Sequence, residues 1–497
     1  MQTVQAEVTT NGVGPLGVRG AWVGRKRWLA LVTTGVGLGV AAGPAIAGTD
    51  PPLPSAFATG PPWAATPLTA APLHVDGSSP IAVASGGGVD WAVTSTGGAG
   101  PNATIALRLF RSVSPGVWRP VTSRRFGNNP ALPATAVNAV GGAAAVWFSA
   151  NTGTRGVVTV ATRSAGGGWS RASALSGLID GTVRMSLGSD GGVAVAWNES
   201  VPSAGLGASA VRVALGSVKR PGTWRVSKPI MSRFPTDRLA LLTSLSGGRT
   251  VAVWAVLRNG DYYGRSASIG PTGRVTVLTS PAGGGRTNLF SLARSSKNTL
   301  HVAWMNRLDG DVSLRFARLN GTTWSTPETV VRRKVTAGFV TDPRLVGSGG
   351  HAALAWSEPL DDPTNPGSAT FTVRVATRLP GGGWTLLPDA TPSPLSPPAS
   401  SRLLSLVEVP GGWVLAWASA SRLRGGASLL TRPIRTDGLV GAVSSLTDFE
   451  GNTSAFDSYV SMARQPSGGF IAAAAGHATL ASPITVRIGR AGADAGP

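Results

Sequence analysis

The 497-residue chain has no cysteine, so it can hold neither a disulfide framework nor a thiolate metal site. Charged residues are also scarce, at 13%, and of the 44 Lys and Arg only Lys26, Lys219, Lys228, Lys297 and Lys334 are lysines. Three tyrosines and four histidines leave little material for general acid–base chemistry. No GxSxG, P-loop or HExxH motif occurs. The one GxGxxG match, Gly12-Val13-Gly14-Pro15-Leu16-Gly17, has no strand before it and carries no nucleotide site. Neither a metal nor a cofactor is expected.

What is present is glycine (68), proline (37) and an unusual excess of tryptophan, 16 against 12 phenylalanines. With 42% apolar residues the chain can bury a core. The net charge of +21 favours anionic polymers as partners, and a coding bias toward arginine would give the same surplus. No basic run with interleaved aromatics marks a specific nucleic-acid site.

Arg25-Lys26-Arg27 precedes an uncharged stretch ending in Ala45-Ile46-Ala47, the three-part pattern of a secretory leader. Residues 1–47 are therefore expected to be a signal peptide and 48–60 a linker. An uncleaved anchor is the other reading, since such a stretch could span a bilayer. No second long apolar run follows, so no membrane span is expected after cleavage. The expected location is extracytoplasmic, secreted or at the cell surface.

The tryptophans recur in a phrase of small apolar residues ending at Trp91, Trp147, Trp197, Trp254, Trp304, Trp356 and Trp417, with a decayed copy at Ala474. Around each lie short alternating runs and Gly-rich turns, the signals of strands and hairpins. Four antiparallel strands repeating every 50–60 residues is the period of a propeller blade. Residues 61–497 are thus expected to form one all-β propeller of eight blades, with seven as the alternative. The segment Pro61–Leu68 resembles a fourth strand and is expected to pair with the C-terminal unit and close the ring, hiding a sheet edge.

Features present in every unit are expected to be scaffold, and a site should break the symmetry. The tryptophans therefore read as core. So does an arginine repeated on the third strand, at Arg108, Arg212, Arg265, Arg315, Arg374, Arg432 and Arg487. Asp309 with Asp311 is too small a ligand set for calcium, and Arg332-Arg333-Lys334 reads as a solvated loop. Arg184, Arg238, Arg344 and Arg402 open only four of the innermost strands. They are the candidate ligand-binding residues, for a carboxylate or sulfate. Asp180, Asp237 and Asp342 lie close by in sequence, so Arg–Asp stitching of blades is the competing reading.

The turns Ser164-Ala165-Gly166-Gly167-Gly168-Trp169 and Asn320-Gly321-Thr322-Thr323-Trp324 resemble shortened Asp-boxes. These mark sialidase-like propellers and related secreted bacterial repeat proteins, and the likeness runs from Trp63 to Arg490. The defining Asp of the box is missing. The resemblance implies a secreted propeller. A sialidase would further need an arginine triad and a Tyr–Glu nucleophile, for which only Tyr459, near Asp448 and Glu450, is a candidate. The expected function is a monomeric binding module for an anionic polysaccharide or a cell-surface protein. A sialidase-like or polysaccharide-lyase-like enzyme is the alternative.

Overall fold

The computed structural model describes residues 66–67 and, with breaks at several loops, 81–491; the leader falls outside the described residues. The fold is an all-β propeller, and no described segment is an α-helix. Seven sheets are built from consecutive antiparallel strands, each hairpin-linked to the next. We number them as blades 1 (81–126), 2 (130–176), 3 (179–232), 4 (236–278), 5 (286–334), 6 (341–386) and 7 (400–449). In blades 3 and 5 the outermost strand is split in two, Arg220–Val226 with Ile230–Ser232, and Thr323–Trp324 with Glu328–Lys334. Seven self-contained blades match the lower of the two expected counts, and the count of eight is not carried by them. Beyond blade 7, the strands Tyr459–Arg464, Phe470–His477 and Ile484–Ala491 form a further sheet. Its edge is the N-terminal strand Thr66–Pro67, with Thr66 opposite Ile488.

The second strand of each blade explains the composition. It is covered on both faces by neighbouring blades, so in most blades it reads as a run of small apolar residues instead of alternating, blade 1 being the exception with buried Asp90, Thr94 and Ser95. Ala143, Ala144, Ala145 and Val146 are all fully buried, as are Ala352 to Ala355. Small side chains let adjacent blades approach, and the tryptophan then fills the widening wedge. Trp147, Trp197, Trp304, Trp356 and Trp417 are each at most 1% exposed. Truncating one to Ala is expected to cost about 3–5 kcal/mol.

Two corrections to the repeat follow from strand register. In blades 3, 4, 5 and 6 the tryptophan stands directly opposite the repeated arginine, as in Trp197 with Arg212 and Trp356 with Arg374. In blade 1 the residue opposite Arg108 is Thr94, and Trp91 lies three positions earlier, opposite Arg111. Trp91 is therefore not the equivalent of the other strand-two tryptophans. In blade 7, Arg432 faces Leu415 and not Trp417.

Candidate functional site

The four candidate arginines all lie on innermost strands but do not open them: the strands begin at Ile179, Thr236, Thr341 and Ser400, and it is Arg286, not among the candidates, that opens the innermost strand of blade 5. Arg184 pairs with Ala196, Arg344 with Ala355 and Arg402 with Ala418, each beside the tryptophan of the second strand. Arg238 falls inside a register shift between Asp237 and Ala240. The same irregularity occurs between Ile179 and Val183, between Thr341 and Arg344, and between Leu403 and Ser405. Each candidate thus sits in or next to a β-bulge, but the innermost strands of blades 2 and 5 carry the same irregularity, between Ala131 and Ala134 and between Asn288 and Phe290, so the bulge belongs to the repeat and only the arginine beside it sets the four blades apart. Arg184 and Arg344 are exposed, and Arg184 Nη1 donates to the Val183 carbonyl at 3.0 Å. The side chains of Arg238, Arg402, Asp180, Asp237 and Asp342 lie outside the described residues, as does that of Tyr459. Neither convergence of the four arginines nor their pairing with those aspartates is described.

The repeated strand-three arginines are tied into the scaffold in four blades: Arg315 bonds Thr329 at 2.9 Å, the buried Arg432 donates to the Gly441 carbonyl, and the other two pair with carboxylates. Arg212 pairs with Glu199, and Arg374 Nε lies 3.4 Å from Glu358 Oε2. Both carboxylates stand two residues after the strand-two tryptophan, so one sequence pattern builds one diagonal cross-strand pair twice. Glu358 also takes Arg333 Nε at 3.2 Å, across from blade 5. Arg332 bonds Asp311 at 2.7 Å. The Arg332-Arg333-Lys334 cluster is therefore part of a strand, with its two arginines paired, and not a solvated loop. Asp309 lies outside the described residues. Among those described, no group of three metal-ligating side chains occurs.

Sequence reasoning missed the polar cluster between blades 5 and 6. Arg378, at the end of the third strand of blade 6, is 6% exposed and grips Glu328 of blade 5 with two hydrogen bonds. Its Nε donates to Oε2 at 2.9 Å and its Nη2 to Oε1 at 3.2 Å. Arg318 Nη2 approaches the same carboxylate at 3.5 Å. The Arg378 guanidinium lies 5.9 Å from the Phe316 ring centroid, and Phe316 meets Trp384 edge-on at 5.0 Å. His301 also packs edge-on against Phe316, at 5.0 Å. Burial, aided by the charges of Arg318 and Arg378, pushes the His301 imidazole down to about 4. It is a neutral, packed histidine at physiological pH. Only three-dimensional structure joins Glu328 to Arg378, 50 residues apart. The legible signal was the shared run Val-Ala-Thr-Arg followed by Gly-Gly-Gly-Trp at Arg163 and Arg378.

This architecture defines the class as an all-β propeller. No family model matches the chain, and no curated protein matches it. Solved structures similar to it are propellers of low identity. The β-propeller domain of the trilobed protease from Pyrococcus furiosus is 9% identical with a TM-score of 0.39, covering 75% of this chain and 96% of that one. The fungal lectin from Aleuria aurantia, solved with α-methyl-L-fucoside, is 12% identical with a TM-score of 0.35, covering 65% and 99%. NanB, solved with optactamide, is 8% identical with a TM-score of 0.36, covering 84% and 92%. At these scores none of them contributes to the reading of the site.

Proposed function

We propose that this chain is an extracytoplasmic propeller that binds anionic glycans or cell-surface polymers. A signal peptide, residues 1–47, exports it. The observation that carries the reading is the set of Arg184, Arg238, Arg344 and Arg402, placed at bulges of innermost strands in four blades only. Guanidinium forks suit carboxylate and sulfate groups. The surplus of arginine over carboxylate adds long-range attraction for a polyanion.

The terminal sheet is, in this reading, an eighth blade that closes the ring. Support comes from both flanks. Its first strand lies beside the innermost strands of blade 7 and blade 1. Val83 N donates to Ser461 Oγ at 3.1 Å, and Gln465 Nε2 donates to the buried Asp90 carboxylate at 3.1 and 3.2 Å. Phe470 packs with Val409 and Val414 of blade 7.

Titration of the purified chain with oligo-uronate and sialyl ligands tests the function. Replacing Arg184 and Arg344 together by Ala is expected to weaken binding by about tenfold or more, the loss of one or two charge-assisted hydrogen bonds. Unchanged affinity in that double variant would remove the four arginines from the site.

A further inference from the structure

Blades 1 and 2 meet in the same register as blades 5 and 6. Arg111 follows the repeated Arg108 by three residues, as Arg318 follows Arg315. Trp91 stands opposite Arg111, where His301 stands opposite Arg318. Each of these two rings lies under a glycine of the next blade's first hairpin. A Cβ on Gly141 would come within 2.7 Å of the Trp91 ring, and one on Gly347 within 2.7 Å of His301 Nδ1. Arg163 faces Trp169 across a β-bridge, as Arg378 faces Trp384. By this register no other pair of blades among the described residues joins an arginine three past the repeated one to an arginine ending the next blade's third strand.

Three positions differ: Trp91 stands for His301, Leu109 for Phe316 and Thr122 for Glu328, and only the last removes a charge. Phe316 is paired with Glu328, the carboxylate that Arg378 and Arg318 share. Its counterpart Leu109 is paired with Thr122. Arg163 consequently has no carboxylate. It is 3% exposed and donates through Nη1 to the Gly141 carbonyl at 2.7 Å and the Ala165 carbonyl at 3.3 Å. Its Nε is buried with no partner. That atom is the one Arg378 uses on Glu328. Arg318 Nε and Arg374 Nε are also buried without a hydrogen bond, but each of those guanidiniums lies within 3.5 Å of a carboxylate and Arg163 has none, so its unmade donor is the costly one.

The surroundings favour an anion. Arg119 stands directly opposite Arg111 on the outer strand of blade 1, and both are exposed. Like charges placed directly opposite across a ladder repel unless something lies between them. Arg124 reaches over from the same strand, its Nη1 donating to the Trp169 carbonyl at 2.6 Å. Between Asp90 and Asp180 the sequence contains no acidic residue at all and eight arginines. Asp90 itself is buried and bonded to Ser85 and Gln465. No side chain of these two blades can therefore supply what Glu328 supplies elsewhere.

We propose that the joint between blades 1 and 2 binds a carboxylate or sulfate group from outside the chain, in the place Glu328 fills between blades 5 and 6. Arg111, Arg119 and Arg163 hold the anion. The half-buried Trp91 indole stands opposite Arg111, packed under Gly141, and its exposed part is the apolar surface a sugar carrying the anion would meet. The sugar rests on the glycan reading above; the oxyanion site does not.

Calorimetric titration of the full chain with inorganic sulfate, a sulfated disaccharide and a galacturonate oligomer tests this. Saccharide binding is expected to weaken with salt. Replacing Arg111 and Arg119 together by Gln should lower the affinity by about tenfold or more. Thr122→Glu, which supplies the missing carboxylate from within, should abolish binding. Arg184→Ala with Arg344→Ala should leave this site intact, so the two proposals fail separately. Undiminished binding in both the Arg111/Arg119 and Thr122 variants would overturn the site. So would an equal loss on replacing the exposed Arg225 and Lys228 by Gln. Sulfate binding as tightly as the sulfated disaccharide would uphold the oxyanion site and overturn its assignment to a sugar.

Discussion

Two blade junctions built on the same plan solve the same problem differently. Between blades 5 and 6 the chain buries an arginine and supplies its carboxylate, Glu328, along with a neutral histidine and two aromatic rings. Between blades 1 and 2 it buries Arg163 against carbonyl oxygens alone, and a tryptophan replaces the histidine. The first joint draws its carboxylate from within the chain, although His301 Nδ1, Arg318 Nε and Trp384 Nε1 are buried without a hydrogen-bond partner. The second lacks one charge, and the lack is confined to one position, Thr122. In a repeat protein a feature shared by equivalent joints is scaffold, and the position where they part is where a separate role can enter.

The largest expected effect breaks the first joint. Glu328→Gln leaves Arg378 buried without its counter-charge, and about 3–4 kcal/mol of stability should be lost, because an uncompensated buried charge costs more than the pair contributed. Denaturant unfolding measures it. A loss no larger than that of a surface substitution would mean that Arg378 finds another partner and the joints are not distinguished by Glu328.

Acid should weaken the same joint through His301. The imidazole titrates near 6.5 when unfolded and at about 4 in the fold. Its folded value is depressed, so the unfolded chain takes up the proton first. The contribution is therefore present above pH 6.5 and lost as pH falls toward 4, by up to ~3 kcal/mol. Melting curves at pH 7.5 and 4.5 for wild type and His301→Gln isolate it. The wild type should lose more than the variant, and equal losses would contradict the assignment.

Thr122→Glu converts the open joint toward the closed one. A charge-assisted pair with Arg163 should add about 1–2 kcal/mol, visible as a higher melting temperature. The smallest effect is Arg124→Gln. It removes one partly exposed bond to the Trp169 carbonyl and should cost at most about 1 kcal/mol. A larger loss would show that Arg124, and not Arg163, ties blade 1 to blade 2.

Much of the scaffold was legible because each blade repeats one local pattern. Gly-rich turns marked the hairpins, and a run such as Ala143-Ala144-Ala145-Val146-Trp147 marked a strand buried on both faces. The N-terminal segment could be matched to a fourth strand, and Thr66–Pro67 does pair with Ile484–Ala491. Trp91 was misread because its flanking phrase looks like the others. Its register is set by the next strand, where Arg111 and not Arg108 faces it. The ion pairs of Arg332 and Arg333 were invisible for a similar reason: their partners Asp311 and Glu358 sit on other strands. Arg163 and Arg378 share their sequence context, so their different environments depend on Thr122 and Glu328, 41 and 50 residues away. No local window contains both halves of either joint.

The most direct test of the account is the affinity of a sulfated disaccharide for Thr122→Glu against wild type, read together with the melting temperature of each. The account predicts binding lost and stability gained, because one internal carboxylate replaces the external anion. Binding retained with no gain in stability would contradict it: Arg163 would then need no anion, and the two joints would differ in sequence without differing in role.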